Sequence, residues 1–546
     1  MKGLMQDWPL LVHTIIDHAA LNHGEREIVS RPGAGPIERT TYAELSRRAR
    51  KLASALKRRG YGFGDVLGTM AWNGARHLET WYAISGLGAV CHTLNPRLFE
   101  DQLDYIINHG EDKLIFVDAD FVPLIERLLP RLPRIRDIVV LCDEAHLPDS
   151  KLDGLIASET LMAEGEDDFV WPRFDEQTAC GLCYTSGTTG NPKGVLYTHR
   201  SNVLHALAAN NADVMGLKSK DVVLPVVPMF HANAWSLAYS APMAGAKIVM
   251  PGSKLDGESI FELMNEEGVT FSAAVPTVWL MLLRYLEKSG NKLPKLERVA
   301  IGGSACPRAV METFQDKYGV DVLHAWGMTE MSPLGTIASL KAGMESLDVE
   351  ELWEIRQKQG RTFYTVEMRI FGDDGKEQPR DGKSFGALKV RGAAVAGSYV
   401  KGEGGRILDA EGWFDTGDVG TIDARGYFQI TDRSKDVIKS GGEWISSIDL
   451  ENVAIGHPDA AEAAVIGVAH PKWDERPLLI IVPKAGAKPA KEDILRFLEG
   501  KIAKWWMPDD VVFVDEIPHT ATGKINKLGL RERFRDYKLP TAEAAE

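Results

Sequence analysis

The sequence predicts an α/β chain in two parts. A large N-terminal domain of parallel sheets flanked by helices, with added β-structure, precedes a small C-terminal α+β domain. Three observations predict this. Short β-rich runs alternate with helix-length amphipathic stretches over the first two thirds of the chain, the pattern of parallel sheets covered on both faces. After about residue 365 the pattern changes to short strands and Gly-rich turns. From about residue 434 a compact unit with its own strand candidates follows.

The elements follow in order. Residues 41–59 read as an amphipathic helix: Thr41 and Glu44 have capping-box spacing, and Leu45, Ala49, Leu52 and Leu56 recur on one face. Gly60 is placed to end it. Leu114–Val117 and Ile138–Leu141 read as buried strands. Lys247–Met250 precedes a helix around 257–267, and Val269–Ser272 leads into a helix at 277–288. Arg298–Ile301 leads into a helix at 307–317, and Val320–Leu323 runs on into Trp326. Ligands in such folds bind beyond the carboxyl ends of the strands, so Gly302-Gly303-Ser304 and Trp326-Gly327 can meet over one ligand. The stretch from Gly417 to Arg433 reads as β-structure closing the large domain. Val465–Val468, Leu478–Val482 and Val511–Val514 are the strand candidates of the small one.

The composition is that of a globular chain: 546 residues, 44% hydrophobic and 26% charged. A net charge of −14 argues against a broad polyanion-binding surface, so no nucleic-acid partner is expected. No apolar run approaches the roughly 20 residues that span a bilayer. No basic segment followed by an apolar stretch opens the chain, and a cytoplasmic location is expected. Five cysteines do not suggest a disulfide framework. Cys180 and Cys183 form a lone C-x-x-C that could be a redox pair or half a zinc site. No second pair completes such a site, and in a strand the two would face opposite ways, so they read as buried thiols.

The densest chemistry lies in Tyr184-Thr185-Ser186-Gly187-Thr188-Thr189-Gly190-Asn191-Pro192-Lys193-Gly194. Eleven residues carry three glycines, five hydroxyl or phenol groups and one lysine. Glycines let the backbone turn its N–H groups onto a phosphate, and Lys193 adds a mobile positive charge. It is not a Walker A loop, because Lys193 lies between Pro192 and Gly194.

Four further segments follow in order: Trp326-Gly327-Met328-Thr329-Glu330; Trp413-Phe414-Asp415-Thr416-Gly417-Asp418; Asp432 to Glu443; and Pro518-His519-Thr520-Ala521-Thr522-Gly523-Lys524. With the phosphate loop they resemble the adenylate-forming superfamily of acyl-CoA synthetases, peptide-synthetase adenylation domains and luciferases, over nearly the whole chain. His324 to Glu330 and Gly441 to Ser447 are most similar to bacterial medium- and long-chain fatty acyl-CoA ligases and the related 3-methylmercaptopropionyl-CoA ligases.

The resemblance implies an ATP- and Mg2+-dependent ligase that forms acyl-AMP and then acyl-CoA. Domains would span 1–432 and 433–546, the second a mobile lid pivoting near Lys435. Thr185 and Glu330 would be associated with magnesium. Thr185, Ser186, Gly187, Thr188, Thr189, Gly190 and Lys193 would hold phosphates. Gly303, Ser304, Ala305, Trp326, Gly327, Met328 and Thr329 would line the base, with Trp326 where relatives often have tyrosine. Asp418 would bind the ribose hydroxyls as an acceptor-only carboxylate, and Arg433 the ribose or phosphate. Lys524 would bridge carboxylate and α-phosphate in the first half-reaction. For the second, lid rotation would replace it with the face bearing Lys439, Gly441, Gly442, Glu443 and Trp444. The nucleotide and coenzyme A enter as cosubstrates, and a homodimer is implied.

The acid is expected against Pro228 to Trp235, an apolar stretch with His231 near the carboxylate and Trp235 as a gate; Val275-Pro276-Thr277 packs nearby. Medium- to long-chain fatty acids lead, with 3-methylthiopropionate as the alternative. Alternatives of another class are a carrier-loading adenylation domain, against which the lack of a carrier domain after the expected lid argues, and a luciferase-like oxygenase. Ala387 stands where relatives often have glutamate, which puts one structural ion pair in doubt.

Overall fold

The computed structural model describes residues 1, 3–32, 36–185, 191–433, 435–441, 443–520 and 524–543. Two sheets form its centre. The first has seven strands in the order Ile156–Ala157, Asp137–Val140, Leu114–Val117, Val66–Met70, Val90–Thr93, Ala179–Tyr184 and Gly194–Thr198. All its pairs are parallel except the last. The segment expected to hold phosphate therefore connects two antiparallel strands at the edge of an otherwise parallel sheet.

The second sheet has nine strands, ordered Arg361–Thr362, Leu334–Ile337, Asp321–Gly327, Arg298–Ile301, Phe271–Ala274, Val222–Pro225, Lys247–Met250, Glu27–Ser30 and Glu38–Thr41. Its central pairs are parallel and its outer pairs antiparallel.

Helices lie between the sheets and on both outer faces. The helix Tyr42–Arg58 begins where Thr41 Oγ1 accepts from the Glu44 amide at 3.3 Å. It carries Lys57 and Arg58 in its last turn, where cations suit the helix dipole. It gives way at Gly60, whose φ of +83° costs glycine nothing. Its Leu45, Leu52 and Leu56 are buried in one core with Leu67 and Phe116 of the first sheet and Ile28 and Phe271 of the second. Each such leucine contributes about 2 kcal/mol of burial, so this helix joins the two sheets. Helices outside the first sheet cover Ile115, Val117, Ile138 and Val140. The helices Gly257–Glu267 and Pro276–Ser289 cover Val249, Val299 and Ile301 of the second.

Two expectations shift. The strand expected at Val269–Ser272 runs Phe271–Ala274, because Thr270 turns its hydroxyl to Asp221 at 3.0 Å. The helix expected at 307–317 is α-helical only over Arg308–Glu312 and continues as a π-turn over Thr313–Lys317. There Thr313 Oγ1 donates to the Ala309 carbonyl at 2.6 Å and competes with the backbone ladder.

A four-stranded antiparallel sheet follows, Val366–Phe371, Gly386–Gly392, Phe414–Ile422 and Phe428–Arg433. Within it Ala387 lies opposite Phe371 and Val419, while the neighbouring Lys389 pairs with Asp409 at 3.0 Å. The C-terminal part has its own five-stranded sheet, built on the long hairpin Ala460–His470 and Asp474–Pro483. Asp510–Phe513 lies parallel to the second of these strands. Separate cores lie on its two faces.

All five cysteines are buried and unpaired. Burial raises each thiol, Cys180 to about 12 and Cys142 to about 11. Cys180 packs into the core between the sheets, accepting from Asn202 Nδ2 at 3.2 Å; Cys183 faces Tyr197 and Tyr399. No helix among the described residues is long and apolar enough to cross a membrane.

Candidate active site

The described base of the phosphate loop is closed by two hydrogen bonds. The Thr185 amide donates to the Lys193 carbonyl at 2.9 Å, and the Lys193 amide donates to Thr185 Oγ1 at 3.1 Å. Ser186, Gly187, Thr188, Thr189 and Gly190 lie outside the described residues. The Lys193 ammonium stands 5.1 Å from the centre of the Tyr399 ring. The Tyr399 hydroxyl in turn donates to Glu330 Oε1 at 2.6 Å. Tyr399 thus ties the lysine of the loop to the carboxylate of the Trp326–Glu330 segment. Sequence reasoning missed it, since it stands in an irregular stretch with no spacing that links it to either partner.

Glu330 is buried, and its backbone is held as well. Its carbonyl accepts from the Ala396 amide at 2.7 Å, and the Thr329 carbonyl accepts from the Tyr197 hydroxyl at 2.7 Å. Among the described residues Oε2 accepts no hydrogen bond. No group of three or more His, Cys, Asp or Glu among them could enclose a metal. One carboxylate with an oxygen to spare suits magnesium, which takes its remaining ligands from phosphates and water. The spare Glu330 oxygen therefore fits the expected ion, which Glu330 and Thr185 would hold.

Trp326 has two jobs. Its ring lies in the core against Phe428, 5.7 Å between centres, and over Gly335, where a Cβ would come within 2.7 Å of the indole. Its Nε1 donates to Asp418 Oδ2 at 2.8 Å. Arg433 Nε stands 3.7 Å from Asp418 Oδ1 across the antiparallel pair Phe414–Ile422 and Phe428–Arg433. Burial pushes the Asp418 carboxyl up, while Arg433, Trp326 and Lys524 pull it down. Trp326→Phe keeps the ring and removes the donor. The buried Oδ2 then lacks a partner, at a cost of about 1–3 kcal/mol. We expect the nucleotide KM to rise about tenfold with a smaller change in kcat; an unchanged KM would show that Asp418 does not need the indole.

Lys524 reaches this group from the C-terminal part. Burial, with Arg433 beside it, lowers its ammonium to about 8, and Asp418 and Glu330 act in the opposite sense. His231 faces it. Burial and the lysine charge lower that imidazole to about 4, so it is neutral at physiological pH. His231 also lines a small cavity of about 10 Å³ with Thr185, Tyr184, Phe230, Asn95 and Thr93. Thr185, His231, Glu330, Asp418, Arg433 and Lys524 therefore form one cleft.

Ala232 to Ser236 follow His231 with φ between 45° and 72°, five consecutive non-glycine residues in the left-handed region. Each costs about 1–2 kcal/mol, which the surroundings must offset. The Asn233 side chain donates to Asn202 Oδ1 at 3.2 Å, and Ser236 accepts from the Ser240 amide at 2.8 Å. This turn lays Trp235 on the backbone of Gly302 and Gly303. A Cβ on Gly302 would come within 3.2 Å of the indole and 2.9 Å of the Ala325 carbonyl. Val275 packs on Gly303 from the other side. Gly303 and Ser304 are exposed and Ala305 and Met328 half-buried, all just beyond strand ends, whereas Trp326 and the half-buried Gly327, expected there too, are the last two residues of the strand Asp321–Gly327, which their pairing with Leu334–Ile337 prolongs.

Lys439 is not in this cleft. Its side chain is exposed, and its amide donates to Glu475 Oε2 at 3.0 Å. Gly441, at φ +59°, packs on Trp473. Lys435 is exposed, and desolvation by its surroundings, with Arg433 and Arg531 nearby, lowers its ammonium below the ordinary lysine value. Gly442 and the side chains of Glu443 and Trp444 lie outside the described residues; the backbone of Glu443 and Trp444 pairs with Ser440 and Lys439.

The cleft presents ammonium and guanidinium groups beside a buried carboxylate and a phosphate-loop base. Such an arrangement offsets the charge that accumulates when one anion attacks another.

A family model described as AMP-binding enzyme matches residues 16–400, and its C-terminal companion, AMP-binding enzyme C-terminal domain, matches residues 449–524. The chain belongs to the AMP-binding enzyme family. It is 51% identical over 536 residues to a 3-methylmercaptopropionyl-CoA ligase of Ruegeria lacuscaerulensis, covering 98% of this chain and 99% of the relative. It is 47% identical to a medium-chain-fatty-acid–CoA ligase of Ectopseudomonas oleovorans over the whole of both chains. Among solved structures, an anthranilate CoA ligase in complex with anthranoyl-AMP superposes with a TM-score of 0.85 at 25% identity, covering 97% of this chain and 99% of that one.

Proposed function

We propose that this enzyme is an AMP-forming acid–CoA ligase that activates medium- to long-chain fatty acids. ATP and coenzyme A are its cosubstrates. The carboxylate attacks the α-phosphate to give acyl-AMP and pyrophosphate; the CoA thiolate then attacks the acyl carbonyl and releases AMP. The observation that carries this reading is the joining of Lys524, Asp418, Arg433 and Glu330 in one cleft with the base of the phosphate loop. When bound, magnesium would neutralise phosphate charge between Glu330 and Thr185. The segment Pro228–Trp235 supports an uncharged acyl chain, because His231 is its one titratable side chain and is neutral.

A lid of residues 433–546 pivoting near Lys435 belongs to the same reading. So do a role for Lys439 and the Gly441–Trp444 face in the second step, a cytoplasmic location and a homodimer. A short thioether acid is the second reading, favoured by the 51% identity to the Ruegeria ligase.

Pyrophosphate release with Mg-ATP across acetate to palmitate plus 3-methylthiopropionate, with and without CoA, separates them. We expect a maximum among the medium- or long-chain acids and faster turnover with CoA. A maximum at the thioether acid would replace the fatty acid reading. No dependence on CoA would replace the ligase reading.

A further inference from the structure

Asp418 has a second aspartate beside it. Asp432 lies on the neighbouring strand, opposite Val419, and is 1% exposed. It turns toward the C-terminal part, where Oδ2 accepts from the Ser447 amide at 3.0 Å and from the Ser447 hydroxyl. That hydroxyl accepts from Lys527 Nζ, so the three side chains form one chain of charge-assisted bonds. Lys527 also pairs with Glu451 Oε1 at 2.9 Å, and Glu451 accepts from the Val465 amide at 2.8 Å. Ser446 Oγ donates to the Thr431 carbonyl at 2.6 Å, and Asp436 and Arg531 pair alongside. Each of these side chains is mostly or wholly buried, and the three carboxylates Asp432, Glu451 and Asp436 stand with the two cations Lys527 and Arg531.

Lys527 stands three residues after Lys524. Pro518–Thr520 and Lys524–Asn526 pair as the two arms of a hairpin. The Thr520 amide donates to the Lys524 carbonyl at 2.7 Å, and the Asn526 amide donates to the Pro518 carbonyl at 2.8 Å. Asn526 Oδ1 then caps the helix that Lys527 begins. Lys527 is therefore the fixed end of the hairpin that holds Lys524 out. Two lysines on one hairpin meet two aspartates on one strand pair: Lys524 faces Asp418, and Lys527 reaches Asp432 through Ser447.

We propose that the Lys527–Ser447–Asp432 chain is a latch that registers Lys524 over Asp418 and Glu330 for acyl-adenylate formation and opens before thioester formation. The three are positioning residues. Asp432 precedes Lys435 and the other two follow it, so any rotation about Lys435 breaks the chain. The inference rests on the two-step ligase reading above.

The test uses Ser447→Ala, which breaks the chain and leaves the Lys527–Glu451 pair, with Asp432→Asn as a second, isosteric variant. In Ser447→Ala we expect acyl-adenylate formation to fall about tenfold in kcat with the ATP KM within about twofold. Thioester formation from supplied acyl-adenylate should be unchanged or faster. Equal losses in both steps, or none in either, would overturn the latch. Hydrogen exchange at the Thr520 and Asn526 amides, without substrate, should quicken in both variants. Exchange unchanged from the wild type would overturn the latch whatever the turnover shows. If the wild type forms no adenylate with any acid, the ligase reading fails, and the exchange result alone decides the latch.

Discussion

Lys524→Ala is expected to lower acyl-adenylate formation by at least about a hundredfold, the usual loss when one group aimed at transition-state charge is removed. Thioester formation from supplied acyl-adenylate and CoA should stay near the wild-type rate. The asymmetry follows from where the ammonium stands, within the electrostatic reach of Arg433, Asp418 and Glu330. It can offset charge that builds between a carboxylate and an α-phosphate, a charge the second step no longer carries. The same geometry sets a pH dependence. Only the protonated lysine supplies the charge, and its pKa is lowered to about 8. For the free enzyme, adenylation kcat/KM should hold below that value and decline as pH rises through it. Bound ATP adds negative charge, so the limb in kcat should lie at higher pH. Measured half-reactions across pH 6.5–10 check both points. Equal loss of both steps in Lys524→Ala would remove the lysine from its role.

Glu330→Gln is expected to cost about a hundredfold in adenylation and to raise the Mg2+ concentration for half-maximal activity about tenfold. The variant keeps the shape and can still accept from Tyr399, so the fold should hold. What changes is a buried carboxylate charge that Tyr399 ties to the lysine of the loop. A variant that loses activity at an unchanged Mg2+ requirement would make Glu330 a structural partner of Tyr399 instead. Titration of both proteins with magnesium at saturating ATP distinguishes the two.

The residues of this cleft were readable in the chain to different depths. Alternating strands and helices are local patterns, and the helix Gly257–Glu267 and the strands Leu114–Val117 and Arg298–Ile301 follow from them directly. The motifs around Thr185, Glu330, Asp418 and Lys524 stand out because hydroxyls, glycines and charges cluster within a few residues. Partners distant in sequence were not readable. Tyr399 holds Glu330 across 69 positions, and Ser447 reaches Asp432 only because two elements cross. Trp326 was expected against a base, yet its N–H is directed at Asp418, 92 positions away. The left-handed turn after His231 was invisible because only Asn233 of Ala232-Asn233-Ala234-Trp235 tolerates that backbone readily. It exists by virtue of what surrounds it.

The five buried thiols have a consequence of their own. A thiol raised far above neutrality and shut from solvent reacts with an alkylating reagent only when its surroundings briefly open. The cysteines are spread over the interior: Cys91 and Cys180 between the two sheets, Cys142 on the far side of the first, Cys306 on the far side of the second. Cys183 lies two residues before Thr185. Alkylation followed residue by residue would therefore time how often each layer breathes. The rate at Cys183, with and without nucleotide, would report how far a filled cleft quiets the strand that feeds the phosphate loop.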